Sequence, residues 1–457
     1  MDQSKYTILS TGSIREALTL INENKLGMIF VVDDDQRVIG TATDGDIRGS
    51  ILGTATLGDR IDVAFNTDFV WRYNSDNRES ILKLLDSKIK VIPILDKALR
   101  LVDIITPLDF PVSFEKYVYA RAKAPVRISF AGGGSDLTHY FMADKGAVLS
   151  ATVGLYSHVT LRPRNDSKVS VNSLDLNDVR ESDTLSDFVS KKDGFDLFRS
   201  VFQVIKPNFG FDLYVYSDFP PGSGLGGSSA VMAAVLGCFN EFRSDKWNDY
   251  DLAELAFQAE RINMGISGGW QDQYATVFGG FNFIEFGKDN NVIHPLRLNK
   301  KTILDLQESL VLIKVGSGRN SGHIHDSQED AMQDSQIKNK VEKNVEHCYA
   351  MREHLLRSNL KDFGLGLSAA WQLKKQFSSE ISNSRLDEVY NYALRNGALG
   401  GKLLGAGGGG FFLFYVKDFE KNSFLSAMKK KSLVHKAVFL DQDGVQSWTN
   451  RDDFKGN

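Results

Sequence analysis

Cysteine is nearly missing from this chain: there are two in 457 residues, Cys238 and Cys348, and neither has a CxxC partner. That scarcity excludes a disulfide framework and a thiolate zinc site, suits a reducing compartment, and leaves both thiols as expected core residues. Long apolar runs are missing too. No stretch approaches the roughly 18 apolar residues a membrane span needs, and MDQSKYTILSTGSIREAL at the N-terminus lacks a basic segment leading into an apolar one. A cytoplasmic protein with no membrane partner is therefore expected. Neither sign of charge dominates: 54 Lys and Arg face 58 Asp and Glu, a net charge of -4 that offers no basic footprint for nucleic acid. Low-complexity tails and coiled-coil repeats are absent as well. What is present, 42% hydrophobic and 25% charged residues over this length, suffices for about three domains with packed cores.

Residues 1–115 run through one order of elements twice. SIREALTLINENKLG carries a helical stripe, MIFVVDDD a strand, and VIGTATDGDIRGSIL a second strand entering a short loop; ESILKLLDSKIK, VIPILD and LRLVDIITPLDF repeat that order. The repeat resembles a pair of CBS motifs. The likeness is carried by Gly40-Thr41-Ala42-Thr43-Asp44-Gly45-Asp46-Ile47, which fits G-x-x-T-x-x-D and an apolar residue; the second copy keeps Thr106 and Asp109 but has Asp103 where that signature has Gly. The resemblance implies an α/β domain in which Thr43, Asp46, Thr106 and Asp109 hold an adenine nucleotide, or a module that makes the chain a homodimer. A plainer alternative stays open, that Asp46 and Asp109 cap helices, as short acids do well. Pro107 and Pro111 then mark a linker.

The remaining residues are punctuated by glycine, and one stretch carries most of the chemistry. PPGSGLGGSSA, Pro220 to Ala230, satisfies G-x-G-x-x-G at Gly222, Gly224 and Gly227. A dinucleotide loop, however, needs a strand running straight into the first glycine and an acid about twenty residues on. Here Pro220 and Pro221 intervene, and only Asp245, in a polar connection, stands near that distance. A nicotinamide dehydrogenase is disfavoured. No lysine adjoins Ser228 or Ser229, so a Walker A loop fails too. What is left is a glycine loop opening a helix apolar on nearly every face, SSAVMAAVLGCFNEF, whose first N–H groups and two hydroxyls suit one polyanion with a metal ion. Pro221, Gly222, Ser223, Gly224, Leu225, Gly226, Gly227, Ser228 and Ser229 are the candidate phosphate cradle.

PPGSGLGGSSA resembles the second signature of the GHMP small-molecule kinases, and two more stretches match in order: KAPVRISFAGGGSDL (Lys123 to Leu137) the first, KLLGAGGGGFF (Lys402 to Phe412) the third. The resemblance implies an α+β fold of two lobes, an ATP-binding lobe over 116–300 like ribosomal protein S5 and a ferredoxin-like lobe over 301–457. It implies ATP and Mg2+, with Glu260 and Ser228 or Ser229 on the metal, Asp272 facing the acceptor hydroxyl, and Arg127 beside it to counter charge on the transferred group. The helix DYDLAELAFQAERINMG would place Leu252, Leu255, Ala256, Ala259 and Ile262 on one face, with Glu260 flanking it and Gly265 ending it. An ion pair of Glu260 with Arg261, and Asp272 as a helix cap, remain structural alternatives.

Asp136 matches the acid that binds sugar hydroxyls in the galactokinase-like branch, but Gly133 and Gly134 replace the Glu-His pair of that branch, leaving room for a longer or phosphorylated sugar. Ser135 and Gly407 join the expected substrate contacts; the third signature equally serves as entry to the strand FFLFYV. AGGGSDL, GGWQDQYATVFGGFNFIEF and LLGAGGGGFF are most similar to the branch acting on D-glycero-D-manno-heptose 7-phosphate at C1 for surface polysaccharide, which implies a cation for the distal phosphate: Arg319 first, then His323, Lys374 or Lys375. The alternatives are another sugar 1-kinase of the fucokinase type and a nucleotide-binding regulatory protein without catalysis.

Overall fold

Short apolar strands alternating with amphipathic helices build the N-terminal part of the chain. In a computed structural model, which describes residues 3–76, 78–87, 89–108, 117–316, 321–332 and 334–452, two compact units separate, Met1–Lys116 and Tyr117–Asn457. The first contains β1 (Thr7–Leu9), β2 (Met28–Val32) and β3 (Val38–Thr43), then β4 (Arg72–Tyr73), β5 (Ile92–Leu95) and β6 (Leu101–Ile105). Each trio forms a three-stranded sheet of the same kind, first strand parallel to the second, second antiparallel to the third. Helices Ile14–Asn24 and Arg78–Asp86 occupy equivalent places after the first strand. The sequence repeat is thus a structural one. Phe30, Val32 and Val38 of the first half share a core with Leu95, Leu101 and Ile104 of the second.

The second unit is laid out on two sheets. Its strands are β7 (Tyr117–Ala131), β8 (Gly146–Pro163), β9 (Val169–Ser173), β10 (Asp178–Ser182), β11 (Phe211–Ser217), β12 (Phe281–Phe286), β13 (Asn291–Pro295), β14 (Leu310–Lys314), β15 (Ala398–Leu403), β16 (Phe411–Val416), β17 (Val434–Ala437) and β18 (Gln446–Asp452). Eighteen residues long, β8 organises the larger sheet. Its two halves pair with β12 and β11 along one edge, and β7 runs antiparallel along the other. The smaller sheet, in the order β15–β16–β14–β17, is antiparallel throughout. Helices join β14 to β15, and Asp418–Lys430 joins β16 to β17, which is the ferredoxin-like connection.

One element departs from a sequence division at residue 300. β18 follows the smaller sheet along the chain yet pairs antiparallel with β7, covering an edge of the larger sheet that would otherwise stay open. The helix Gly227–Asn240 is buried almost along its whole length, as its uniform apolarity requires. It anchors the loop that precedes it. Cys238 and Cys348 are both buried, unpaired thiols, and among the described residues no helix is long and apolar enough to cross a membrane.

Behind that helix lies an aromatic cluster. The Phe202 ring sits 5.1 Å from Phe211, 5.4 Å from Phe188 and 6.0 Å from Phe239, centroid to centroid, and Phe202 is fully buried. Removing such a ring leaves a cavity that neighbours on three elements cannot fill together. Phe202→Ala should lower stability by about 3–5 kcal/mol, read from the chemical-denaturation midpoint of the whole chain; a loss below about 1 kcal/mol would show that this cluster is not holding the helix in place.

Candidate active site

The glycine loop owes its shape to alternate residues. Gly222, Gly224 and Gly226 have φ of +69°, +75° and +77°, a backbone that side chains on L-residues disfavour. Between them Ser223 and Leu225 are buried and tie the loop down. A Cβ on Gly224 would stand 2.7 Å from the carbonyl oxygen of Leu404, and one on Gly410 2.6 Å from that of Ser223. The third glycine motif therefore presses its backbone against the second. Gly407, at φ +137°, and the neighbouring Ala406 and Gly409 lie on the wall of the same cavity.

Arg127 projects from β7 beneath the loop and is 3% exposed. Its Nε donates to Asp272 Oδ1 at 2.8 Å, its Nη2 lies 2.6 Å from that oxygen, and its Nη1 donates to Gly224 O at 2.8 Å. The backbone N–H of Arg127 donates to Leu225 O at 3.0 Å. One arginine thus joins the acid to the loop. Asp272 stands in the first turn of helix Gln271–Phe278 but caps nothing, since Trp270 occupies the cap position without a side-chain bond. A Cβ at Gly226 would be 3.3 Å from Asp272 Oδ2, so only a missing side chain separates acid from loop.

Glu260 reaches the loop from a different direction. The helix Asp249–Phe257 continues as a π-helical turn, Gln258–Asn263, a distortion often found at functional sites. It overturns the regular helical face expected through Ile262. The wider turn rotates the later residues, so Glu260 becomes 2% exposed and Ile262 70% exposed. Ser228 Oγ donates to Glu260 Oε1, Ser229 Oγ to Oε2 at 2.7 Å, and Gln273 Nε2 to Oε2 at 2.6 Å. Arg261 is farther off, Nη2 to Oε2 at 3.7 Å. One carboxylate flanked by two hydroxyls is a hard-oxygen set that fits magnesium, an ion that usually keeps waters and phosphate oxygens as its other ligands.

Asp136, 2% exposed, ends the first motif's turn. Its Oδ1 accepts from Gly134 N at 2.8 Å, and its Oδ2 from Gln271 Nε2 at 2.9 Å and Gln271 N at 3.3 Å. Gly133 lies beside it, where a Cβ would be 3.6 Å from Gln271 Nε2 and 3.8 Å from Lys374 Nζ. Ser135 does not face the cavity. Its hydroxyl donates to Gly132 O and Ala147 O and accepts from Ala147 N, so it locks the turn to β8 from behind. Arg319 lies outside the described residues, and His323 is exposed, bonded to Glu380.

These groups line one cavity of about 310 Å³, shared by Arg127, Asp136, Gly222, Ser228, Glu260 and Asp272. Leu197, Phe219 and Val231 add apolar side chains to its lining. The lining also includes residues to which sequence reasoning gave no binding role, among them Arg261, Gln271, His325 and Gln328. Burial lowers the Lys374 ammonium to about 8, with Asp136 raising and Arg127 lowering it. Burial likewise holds His325 near 3, reinforced by Lys374 and Arg261, so its imidazole is neutral at pH 7.

In the first unit, Asp46 serves its helix. Thr43 is the N-cap of Asp44–Gly53, and Asp46 Oδ2 accepts from Thr43 N at 2.8 Å and Thr43 Oγ1 at 2.6 Å, a reciprocal capping box. The carboxylate remains exposed at the helix start. Thr106 follows β6 directly, and Asp109 lies outside the described residues.

Residues 195–280 match the model for the GHMP kinases N terminal domain and 351–432 that for GHMP kinases C terminal; 1–53 match the CBS domain. D-glycero-alpha-D-manno-heptose 7-phosphate kinase of Campylobacter jejuni subsp. jejuni serotype O:2 is 35% identical over 334 residues, 72% of this chain and 98% of that protein. This chain belongs to the GHMP kinase family. The chain is a phosphotransferase with an alcohol group as acceptor. Among solved structures, a D-glycero-D-manno-heptose 1-phosphate kinase from Bacteroides thetaiotaomicron is 28% identical with TM-score 0.60, covering 72% of this chain and 98% of that one. A putative sugar kinase from Campylobacter jejuni is 32% identical with TM-score 0.59, covering 73% and 98%.

The loop of this GHMP kinase admits one direct stability test. Gly224→Ala must hold a Cβ at positive φ against Leu404 O, and should cost about 2 kcal/mol or more in denaturant unfolding; a stability within about 0.5 kcal/mol of the parent would mean the two glycine motifs do not press together.

Proposed function

We propose that this GHMP kinase transfers the γ-phosphoryl group of ATP to the anomeric C1 hydroxyl of D-glycero-D-manno-heptose 7-phosphate, giving the 1,7-bisphosphate used to make nucleotide-activated heptose. The reading rests above all on the Arg127–Asp272 pair, held against the phosphate loop and open to the cavity that also contains Asp136. The identity to a heptose 7-phosphate kinase along nearly that protein's full length supports the choice of sugar.

In this mechanism residues 221–229 cradle the polyphosphate with backbone N–H groups and the start of a buried helix. The apolar side chains of Leu197, Phe219 and Val231 take the nucleoside. Glu260, Ser228 and Ser229 would hold Mg2+, which supplies neutralisation of phosphate oxygens when bound. Asp136 and Gln271 orient sugar hydroxyls on the far side. The acceptor oxygen attacks phosphorus, the bond to the ADP oxygen breaks, and Asp272 takes or orients the acceptor proton. Arg127 fixes Asp272 and lends charge to the phosphoryl group in transit. The N-terminal unit, on the same reading, binds an adenine nucleotide or pairs two copies of the chain.

Two measurements test this. In coupled ADP release over a panel of sugars and sugar phosphates, heptose 7-phosphate should give the highest kcat/KM, and nucleotide binding with no sugar-stimulated ADP release would refute the assignment. Asp272→Asn should lower kcat by roughly 10²-fold or more with ATP affinity within about threefold; unchanged turnover would remove Asp272 from the chemistry.

A further inference from the structure

Three side chains on the acceptor side of the cavity have hydrogen-bonding capacity that the protein leaves unused. Lys374, 8% exposed, has one hydrogen-bond partner among the described residues, the carbonyl oxygen of Gly405, whereas an ammonium carries three donors. Arg261, its side chain 11% exposed, makes among the described residues two 3.4 Å contacts from Nη1 to the carbonyls of Ile266 and Ser267 and a 3.7 Å ion pair from Nη2 to Glu260 Oε2. Its Nε is buried with no partner. His325 Nδ1 is buried without one as well. All three residues line the cavity, and His325 feels the charges of both Lys374 and Arg261.

The acids nearby are already engaged. Asp272 is bonded to Arg127, Asp136 accepts from Gly134 and Gln271, and Glu260 accepts from two serines and Gln273. Unsatisfied buried donors are costly unless a ligand completes them. A phosphate monoester, with three acceptor oxygens and up to two charges, is the ligand chemistry that would do so. Two of the three side chains stand near the turn of Asp136: a Cβ on Gly268 would meet the Arg261 guanidinium at 2.5 Å, and one on the next residue, Gly269, would meet Asp136. Lys374 Nζ lies 3.8 Å from where a Cβ of Gly133 would stand, beside the turn that carries Asp136, and the two glycines there leave the space an extended acceptor would fill.

We propose that Arg261, His325 and Lys374 receive a phosphate ester carried by the acceptor sugar and so set the enzyme's preference for a phosphorylated over a free sugar. This rests on the sugar-kinase reading above and assigns residues to its least specified part. The wall draws on weakly satisfied polar groups from three separate segments, at 261, 325 and 374.

The test is the ratio of kcat/KM for heptose 7-phosphate to that for free heptose, in the full chain with magnesium and ATP. The parent enzyme should favour the phosphorylated sugar. Arg261→Gln and Lys374→Met should each cut that ratio by about 10- to 100-fold, the loss expected for one charge-assisted hydrogen bond. ATP KM and the magnesium requirement should stay within about threefold. Arg261→Lys, which keeps charge, should recover part of the ratio, and His325→Asn offers a milder change if Lys374→Met does not fold. Variants that raise ATP KM or magnesium demand while keeping the ratio would overturn the proposal, giving the wall to the nucleotide. A parent enzyme that phosphorylates both sugars equally would overturn it while leaving the sugar-kinase reading intact; one that phosphorylates no sugar would remove both.

Discussion

The site depends on one buried guanidinium. Arg127 holds Asp272 with two of its nitrogens and the carbonyl of Gly224 with a third, while its own backbone N–H reaches Leu225. Three parts of the chain distant in sequence, near residues 127, 224 and 272, are fixed to one another by a single side chain. Arginine suits this because its planar fork offers several donors in set directions and does not lose its charge. A lysine could neutralise the acid but could not hold the loop in the same gesture. The spacing between the glycine loop and the carboxylate follows from this.

Around that arginine the fold supplies backbone at very close range. The glycine motif at residues 405–410 leans on the loop so tightly that no side chain fits between them, and the buried helix Gly227–Asn240 fixes the loop's other end. A floor of this kind is stiff. Phosphoryl transfer benefits from such rigidity, because positioning and fixed dipoles carry most of the catalysis.

How much of this could be read from residues alone follows from what each feature requires locally. The loop Pro221 to Ser229 was legible because glycines at alternate places and serines at a helix start leave a local trace. So was the repeat in residues 1–115, which follows from periodicity and element order, whereas the ferredoxin-like second sheet came only with the likeness to the GHMP kinases. The π-helical turn at Gln258–Asn263 was not, since a run of apolar residues at helical spacing does not announce one extra residue in a turn. It decided the position of Glu260 and exposed Ile262. Arg261, His325 and Gln328 were hidden for another reason: their partners come from elements brought together only in three dimensions. Ser135 was legible as part of a motif, but its hydroxyl turned to the backbone of β8, and Asp46 proved to follow the capping chemistry of its own helix.

The return of β18 to β7 bears on how the molecule comes into being. A sheet begun at residue 117 is not closed until residues 446–452 have left the ribosome, so throughout synthesis the outer rim of β7 is bare and able to pair with a neighbouring nascent chain. Maturation of the first lobe is thereby tied to the last stretch of translation, and a chain interrupted shortly before that point would carry every group of the candidate site on a scaffold with an open seam.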